Sequence, residues 1–313
     1  MIDSTFGRTL VIANPTAQSG KGEAGARFTR KYFDKHPDLA SGVSIYLTSY
    51  AGEASEIART SDRFDTVIAL GGDGVIHEVV NGLMEIEKEK RPCFGIIPLG
   101  SGNDYARTLH IPINQPEKAL QELAKGHSHR VELGWVNGHY FAETLSFGLD
   151  AAIALDTTKK RAENTKQSGE ALFINSGLKI FSKAKQGFPC KITLDSDESF
   201  PLDLIICAVN VGATYGGGFQ ITPQASPCDG KLNVCYTIKN ISIPHTLFLF
   251  WKVRNGKHLG SSIFKTKAIE KAHFEFEDIV PCQIDGEELI DTHFDIKVIP
   301  DALTVLVGES FPR

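Results

Sequence analysis

A nearly all-apolar run, Thr66-Val-Ile-Ala-Leu70, passes without a break into Gly71-Gly-Asp-Gly74, and the segment after it has helical composition through Glu78–Glu87. A run that short and apolar reads as a strand buried on both faces, and a strand that hands over directly to a helix is half of a crossover unit. The unit recurs along the first 130 or so residues. Thr9–Ala13 ends in Asn14-Pro15, and a Gly/Ser-rich turn (Gln18–Gly22) leads into a helix over Glu23–Asp34. Val43–Leu47 is followed by a helix opening at Gly52–Ala58, and Cys93–Ile97 by another loop and helix. Strands that alternate with helices predict a parallel sheet with helices on both faces, an α/β domain.

The pattern changes near Val131. Strand-like runs then dominate: Val131–Val136, Tyr140–Leu145, Ile192–Leu194, Leu202–Val211, Lys231–Ile238, His273–Phe276 and Thr304–Val307. Only Ala151–Lys160, Ala171–Phe181 and Pro244–Val253 have helical character. These residues predict a mostly antiparallel second domain, with the boundary placed so that residues 1–132 form the first domain and 133–300 the second.

With 42% hydrophobic and 23% charged residues, the chain reads as folded. A net charge of −5 argues against a protein that coats nucleic acid. Its six cysteines show no paired or zinc-like spacing, which predicts reduced thiols and a cytoplasmic protein. No stretch reaches the ~20 apolar residues of a spanning helix, and the N-terminus has no signal-peptide pattern. Any contact with lipid is then expected at the membrane surface. Pro244–Trp251, followed by Lys252, Arg254, Lys257 and His258, is the candidate segment, with core packing as the competing reading.

The chemistry concentrates at the strand ends. In Gly71-Gly-Asp-Gly-Val-Ile-His77, glycine permits the turns and close backbone approach that a phosphate requires, and the new helix offers its free N–H groups. Asp73 is a candidate Mg²⁺ ligand, directly or through water. A plain tight turn is the alternative for this motif alone. A second loop, Pro98-Leu-Gly-Ser-Gly-Asn-Asp104, adds the Ser101 hydroxyl and the Asn103 amide. Loops at the carboxyl ends of neighbouring parallel strands converge on one crevice, and Asn14 and Thr48 are expected at the same rim. Ala17–Gly22 is not a P-loop, because the leading glycine is missing and Gly follows Lys21. No dinucleotide fingerprint follows the first strand.

Asn14-Pro15, Gly71-Gly-Asp-Gly74, Glu78-Val-Val-Asn-Gly82, Pro98–Asp104 and Asp285-Gly-Glu287, in that order, resemble the diacylglycerol kinase catalytic domain, a group that includes bacterial soluble diacylglycerol kinases, related lipid kinases and sphingosine kinases. The resemblance spans nearly the whole chain. It implies an α/β nucleotide domain, a β-sandwich domain, ATP in the cleft between them, and a last stretch (residues 301–313) that returns to the first domain. It places Asn14, Thr48, Gly71, Gly72, Asp73, Gly74, Val75, Ile76, His77 and Ser101 at ATP-contacting positions, and Asn103 falls in the same loop. Glu287 becomes the proton acceptor, with Asp285 beside it; without the resemblance, Asp285–Glu288 reads as an ordinary hairpin turn. In bacterial members a structural Mg²⁺ is held by a segment matching Pro223–Leu232, here through the Asp229 side chain and the backbone oxygens of Ser226 and Lys231. An exposed Asp-Gly turn without metal is the alternative there.

Three positions depart from the family's habit: Val75 and Ser101 each stand where Thr is usual, and His77 stands where Asn is usual. The loss of a hydroxyl at Val75 puts nucleotide preference in question. The expected activity is ATP- and Mg²⁺-dependent phosphorylation of the hydroxyl of diacylglycerol or a related lipid. An NAD kinase-like enzyme and a non-catalytic nucleotide sensor are the alternatives. Oligomeric state is left open, a homodimer included.

Overall fold

The parallel sheet expected of the first half is present in the computed structural model, which describes residues 5–162, 187–238 and 251–312. The chain divides into two units, one running to Glu132 and resuming at Asp301, the other Leu133–Pro300.

In the first unit the elements follow as β1 (Arg8–Ala13), α1 (Ala17–Lys35), β2 (Gly42–Leu47), α2 (Glu53–Ala58), β3 (Thr66–Gly71), α3 (Asp73–Met84), β4 (Cys93–Pro98), α4 (Asp104–Thr108), α5 (Pro116–Lys125) and β5 (His127–Val136), the last crossing into the second unit. The strands pair in parallel in the order β2-β1-β3-β4. Val11, Ile12, Val67–Leu70, Ile96 and Ile97 are all 0% exposed, as continuous apolar runs covered on both faces must be. The register fixes where the strands stop. Ala13 sits opposite both Leu47 and Leu70, and Gly71 opposite Pro98, so four carboxyl ends share one rim.

The second unit comprises β6 (His139–Phe141), β7 (Thr144–Gly148), α6 (Leu149–Ala162), β8 (Phe188–Leu194), β9 (Phe200–Leu204), β10 (Ile206–Asn210), β11 (Leu232–Thr237), β12 (Phe264–Ile269), β13 (Lys271–Phe276), β14 (Cys282–Ile284), β15 (Glu287–Glu288) and β16 (His293–Val307). One sheet is antiparallel throughout, in the order β12-β11-β10-β7-β14-β15. The other is built on β9, β8, β13 and the first part of β16, also antiparallel. Between them lies an aromatic core, with Phe147 stacked 5.0 Å from Phe274 and edge-on 4.8 Å from Phe294. The second half of β16, from Asp301, belongs to the first unit, where Val305 pairs in parallel with Phe94 of β4.

Two expected strands are each divided. Tyr140–Leu145 breaks at Ala142-Glu143, because the N–H groups of Ala142 and Glu143 bond the Asp285 side chain. Leu202–Val211 breaks at Ile205, where the Thr237 hydroxyl accepts the N–H groups of Ile205 (3.2 Å) and Ile206 (3.1 Å). The expected helix Ala171–Phe181 and the stretch 244–250 lie outside the described residues. His258, read as a surface cation, is fully buried. Its Nε2 donates to the Ile221 carbonyl at 2.9 Å, which sets the tautomer, and burial lowers its pKa, so it is a neutral core residue. All six cysteines are free thiols, and burial pushes Cys93 and Cys190 each up to about 12.

Candidate active site

At the rim of the first unit, two glycine loops meet backbone to backbone. A Cβ on Gly100 would lie 2.6 Å from the Gly72 Cα, so the contact excludes a side chain at Gly100 and leaves only a tight 3.2 Å fit for one at Gly72. Gly71 adopts φ +155°, and a Cβ there would meet Val75 Cγ1 at 2.5 Å. Asp73 joins the loops. Its Oδ2 accepts the Asn103 N–H at 2.7 Å and its Oδ1 the Asp104 N–H at 3.1 Å. Asn103 is itself in the left-handed region (φ +56°) and closes its loop by donating from Nδ2 to the Gly100 carbonyl at 2.8 Å. Ser101 is left exposed at the tip.

Helix α3 begins at this junction. Ile76 is the first residue whose N–H bonds back, to Gly72 at 3.3 Å, so helix geometry gives the Gly74 and Val75 N–H groups no carbonyl within α3. Such an N-terminus attracts an anion. The Val75 and Ile76 side chains are buried at 6% and 2% exposure, so these positions present only backbone at the rim. His77 is partly buried, its carbonyl accepting from Asn81 Nδ2 at 2.9 Å. Asn14 Oδ1 accepts the N–H and hydroxyl of Thr16 at 3.0 and 2.8 Å, and the Thr48 N–H bonds the Ala13 carbonyl at 2.9 Å, which places both residues on the same edge. Gln18, Ser19 and Gly20 all have positive φ and form a left-handed loop ahead of the regular part of α1. Two successive non-glycine residues in that region carry no sequence signal.

Glu78 and Gly82 have a different job. Glu78 Oε2 accepts the Ala54 N–H at 3.1 Å, and a Cβ on Gly82 would collide with the Ser55 carbonyl oxygen. That motif packs α3 against α2.

In the second unit, Asp285 (φ +49°) and Gly286 (φ +97°) make the two-residue turn between β14 and β15, both in the left-handed region that such hairpins use. Asp285 is fully engaged: Oδ2 accepts the Ala142 N–H at 2.8 Å, and Oδ1 accepts those of Glu143 and Thr144 at 3.1 and 2.9 Å. The Glu287 side chain is exposed, and among the described residues it makes no hydrogen bond or ion pair. Of the two acids, Asp285 is spent on backbone N–H groups and Glu287 is the exposed one.

The second Asp-Gly turn has a left-handed Gly230 (φ +72°), with Asp229 Oδ1 accepting the Lys231 N–H at 3.0 Å. The Lys231 ammonium is drawn to Glu270, which raises its pKa. Among the described residues no group of three His, Cys, Asp or Glu side chains is placed to hold a metal. A cation at this turn would therefore rest on one carboxylate and main-chain oxygens. Those are hard donors, and the neighbouring ammonium is directed elsewhere, so the set fits Mg²⁺. Asp73 fits less well as a direct ligand, since both its oxygens already hold backbone donors; a water-mediated role is compatible with its geometry.

Comparison with known proteins gives a consistent result. Residues 8–136 match the diacylglycerol kinase catalytic domain, and residues 143–307 match the YegS C-terminal NAD kinase beta sandwich-like domain. A Yersinia pestis protein named "Probable lipid kinase YegS-like" is 32% identical over 97% of this chain and 98% of its own length. A diacylglycerol kinase structure from Bacillus anthracis superposes with a TM-score of 0.78 at 25% identity, covering 99% of this chain and 100% of that one. An NAD kinase from Archaeoglobus fulgidus in complex with ATP shares the fold at a TM-score of 0.54 and 13% identity, covering 97% and 95%. With glycine loops meeting at the strand ends, an accessible glutamate on a clamped turn, and matches along nearly its whole length, the chain belongs to the YegS-like lipid kinases that carry a diacylglycerol kinase catalytic domain.

Proposed function

We propose that this chain transfers the γ-phosphoryl group of ATP, with Mg²⁺, to the hydroxyl of diacylglycerol or a related lipid presented at a membrane surface. The observation that carries the reading is the junction of Gly71–Gly74 with Gly100–Asn103, held by Asp73 against the open N-terminus of α3. Phosphoryl transfer is mostly positioning and charge neutralisation, and this junction offers backbone donors with no side chain in the way. Asn14, Thr48, Ser101 and His77 border the same loops and complete the nucleotide contacts. Mg²⁺, when bound, supplies neutralisation of the phosphate charge.

Glu287 accepts the proton of the lipid hydroxyl as its oxygen bonds to the γ-phosphorus; the bond from that phosphorus to the β,γ-bridging oxygen breaks and ADP leaves. Asp285 supports it by fixing the turn and takes no proton. Asp229 with the Ser226 and Lys231 carbonyls holds a second, structural Mg²⁺. Val75 and His77 leave the backbone donors in place, so ATP binding persists without the hydroxyl that Thr would add.

The test is to incubate purified protein with ATP, Mg²⁺ and either diacylglycerol vesicles or NAD, and to identify products by mass. A phosphorylated lipid without NADP is the expected result. NADP without lipid product would move the chain to the NAD kinase reading, and tight ATP binding with no transfer to any lipid class would make it a sensor.

A further inference from the structure

The turn that presents Glu287 is held from three directions. Asp285 anchors it to the N–H groups of residues 142–144. On the other side, the Gly286 N–H donates to Gln283 Oε1 at 2.6 Å, and the Thr158 hydroxyl, on α6, reaches the Gly286 carbonyl at 3.4 Å. Gln283 is 2% exposed, and its Nε2 donates to Ser146 Oγ at 2.9 Å, a hydroxyl that is itself fully buried. The register explains the contact: Gln283 lies directly opposite Ser146 across the β14–β7 pair.

The carboxamide has only one workable orientation. A backbone N–H can only donate, so Oε1 must face Gly286 and Nε2 must face Ser146; a flip would set two donors against each other. The bond matters because Gly286 has no intrinsic preference for one backbone conformation. Without an acceptor at Gln283, the 285–286 peptide is free to rotate, and the residue after it, Glu287, swings with it. Asp285 constrains the first residue of the turn, whereas Gln283 constrains the second.

We infer that Gln283, locked by Ser146, is a positioning residue for phosphoryl transfer, fixing the Gly286 peptide and thereby the direction of the Glu287 carboxylate. The inference rests on the reading of Glu287 as proton acceptor.

It is tested by measuring steady-state kinetics of lipid phosphorylation for Gln283→Met, Glu287→Gln and the double variant, with thermal melting of each. A misdirected general base lowers kcat and spares binding, so Gln283→Met is expected to lose about 10- to 100-fold in kcat while both KM values move less than about two-fold. Residues that act through one another are not additive, so adding Gln283→Met to Glu287→Gln is expected to slow the enzyme by less than about two-fold more. Wild-type kcat in a folded Gln283→Met protein, or an undiminished further loss in the double variant, would overturn the positioning role. Should Gln283→Met fail to fold, Ser146→Ala serves instead, since it frees the carboxamide while keeping the packing; a loss of roughly 3- to 10-fold with the same dependence on Glu287 is expected, and an unchanged kcat overturns the inference. The two failures are separable. A Glu287→Gln enzyme at wild-type rate sinks the underlying reading, whereas a slow Glu287→Gln beside an unaffected Gln283→Met sinks this inference alone.

Discussion

Asp73 and Asp285 are both aspartates in glycine-flanked turns, and both use their carboxylates to hold backbone N–H groups of a neighbouring loop. Hydrogen bonds to a charged acceptor contribute about 1.5–3 kcal/mol each. Asp73→Asn turns one acceptor oxygen into a donor that faces a backbone N–H, so the second glycine loop is released and ATP affinity is expected to fall by roughly 10- to 100-fold, read by calorimetric titration against the unaltered chain. Asp150 shows the opposite chemistry. It is fully buried at the start of α6, neither oxygen has a well-formed hydrogen bond, and burial pushes its carboxyl well above the usual range, opposed by the nearby Ala151 and Cys207 backbone and the Ser146 hydroxyl. A folded-state value raised above the unfolded one, about 3.9, means the native state holds the proton more tightly. Its contribution to stability is complete below the unfolded value and is lost as pH rises toward the folded one. Asp150→Asn is therefore expected to raise the melting temperature more at pH 8 than at pH 4, and an equal increment at both would contradict the assignment. The glycines and both aspartates were legible in the sequence, because turn chemistry is local. Their acceptor roles were not, because the N–H groups that Asp285 binds lie more than a hundred residues away in the chain.

At the scale of elements, β1, β3 and β4 were readable almost to the residue, since a strand covered on both faces is a continuous apolar run. β12 was missed for the reverse reason: it is buried only at its ends, Phe264 in one core cluster and Ile269 in another, and the residues between them, Lys265 and Lys267 included, leave no apolar run or alternation to read. The divided strands record tertiary bonds from Asp285 and Thr237 that no local window contains. Glu78–Gly82, noticed as a family motif, proves to be a packing device between α2 and α3, and that assignment is testable. Gly82→Ala drives a methyl group into the Ser55 carbonyl, so a destabilisation of about 1–3 kcal/mol is expected by denaturant unfolding, and a neutral change would mean that α2 yields freely.

For the molecule as a whole, the change from strand–helix alternation to strand-dominated sequence near Val131 announced an α/β part followed by an antiparallel one, and both are present. The lipid acceptor was not legible, because an apolar pocket has no sequence code. Glu287 emerged only through the order of five motifs, since Asp-Gly-Glu alone describes any hairpin. Its exposed, uncommitted carboxylate on a turn fixed from several sides is what now supports its role. The most direct measurement follows phosphate from γ-labelled ATP into diacylglycerol vesicles with Mg²⁺, comparing the unaltered chain with Glu287→Gln. The account predicts labelled lipid from the first and a loss of about 100-fold or more in kcat from the second, with ATP binding retained. Labelled lipid formed at the same rate by a folded Glu287→Gln protein would contradict it.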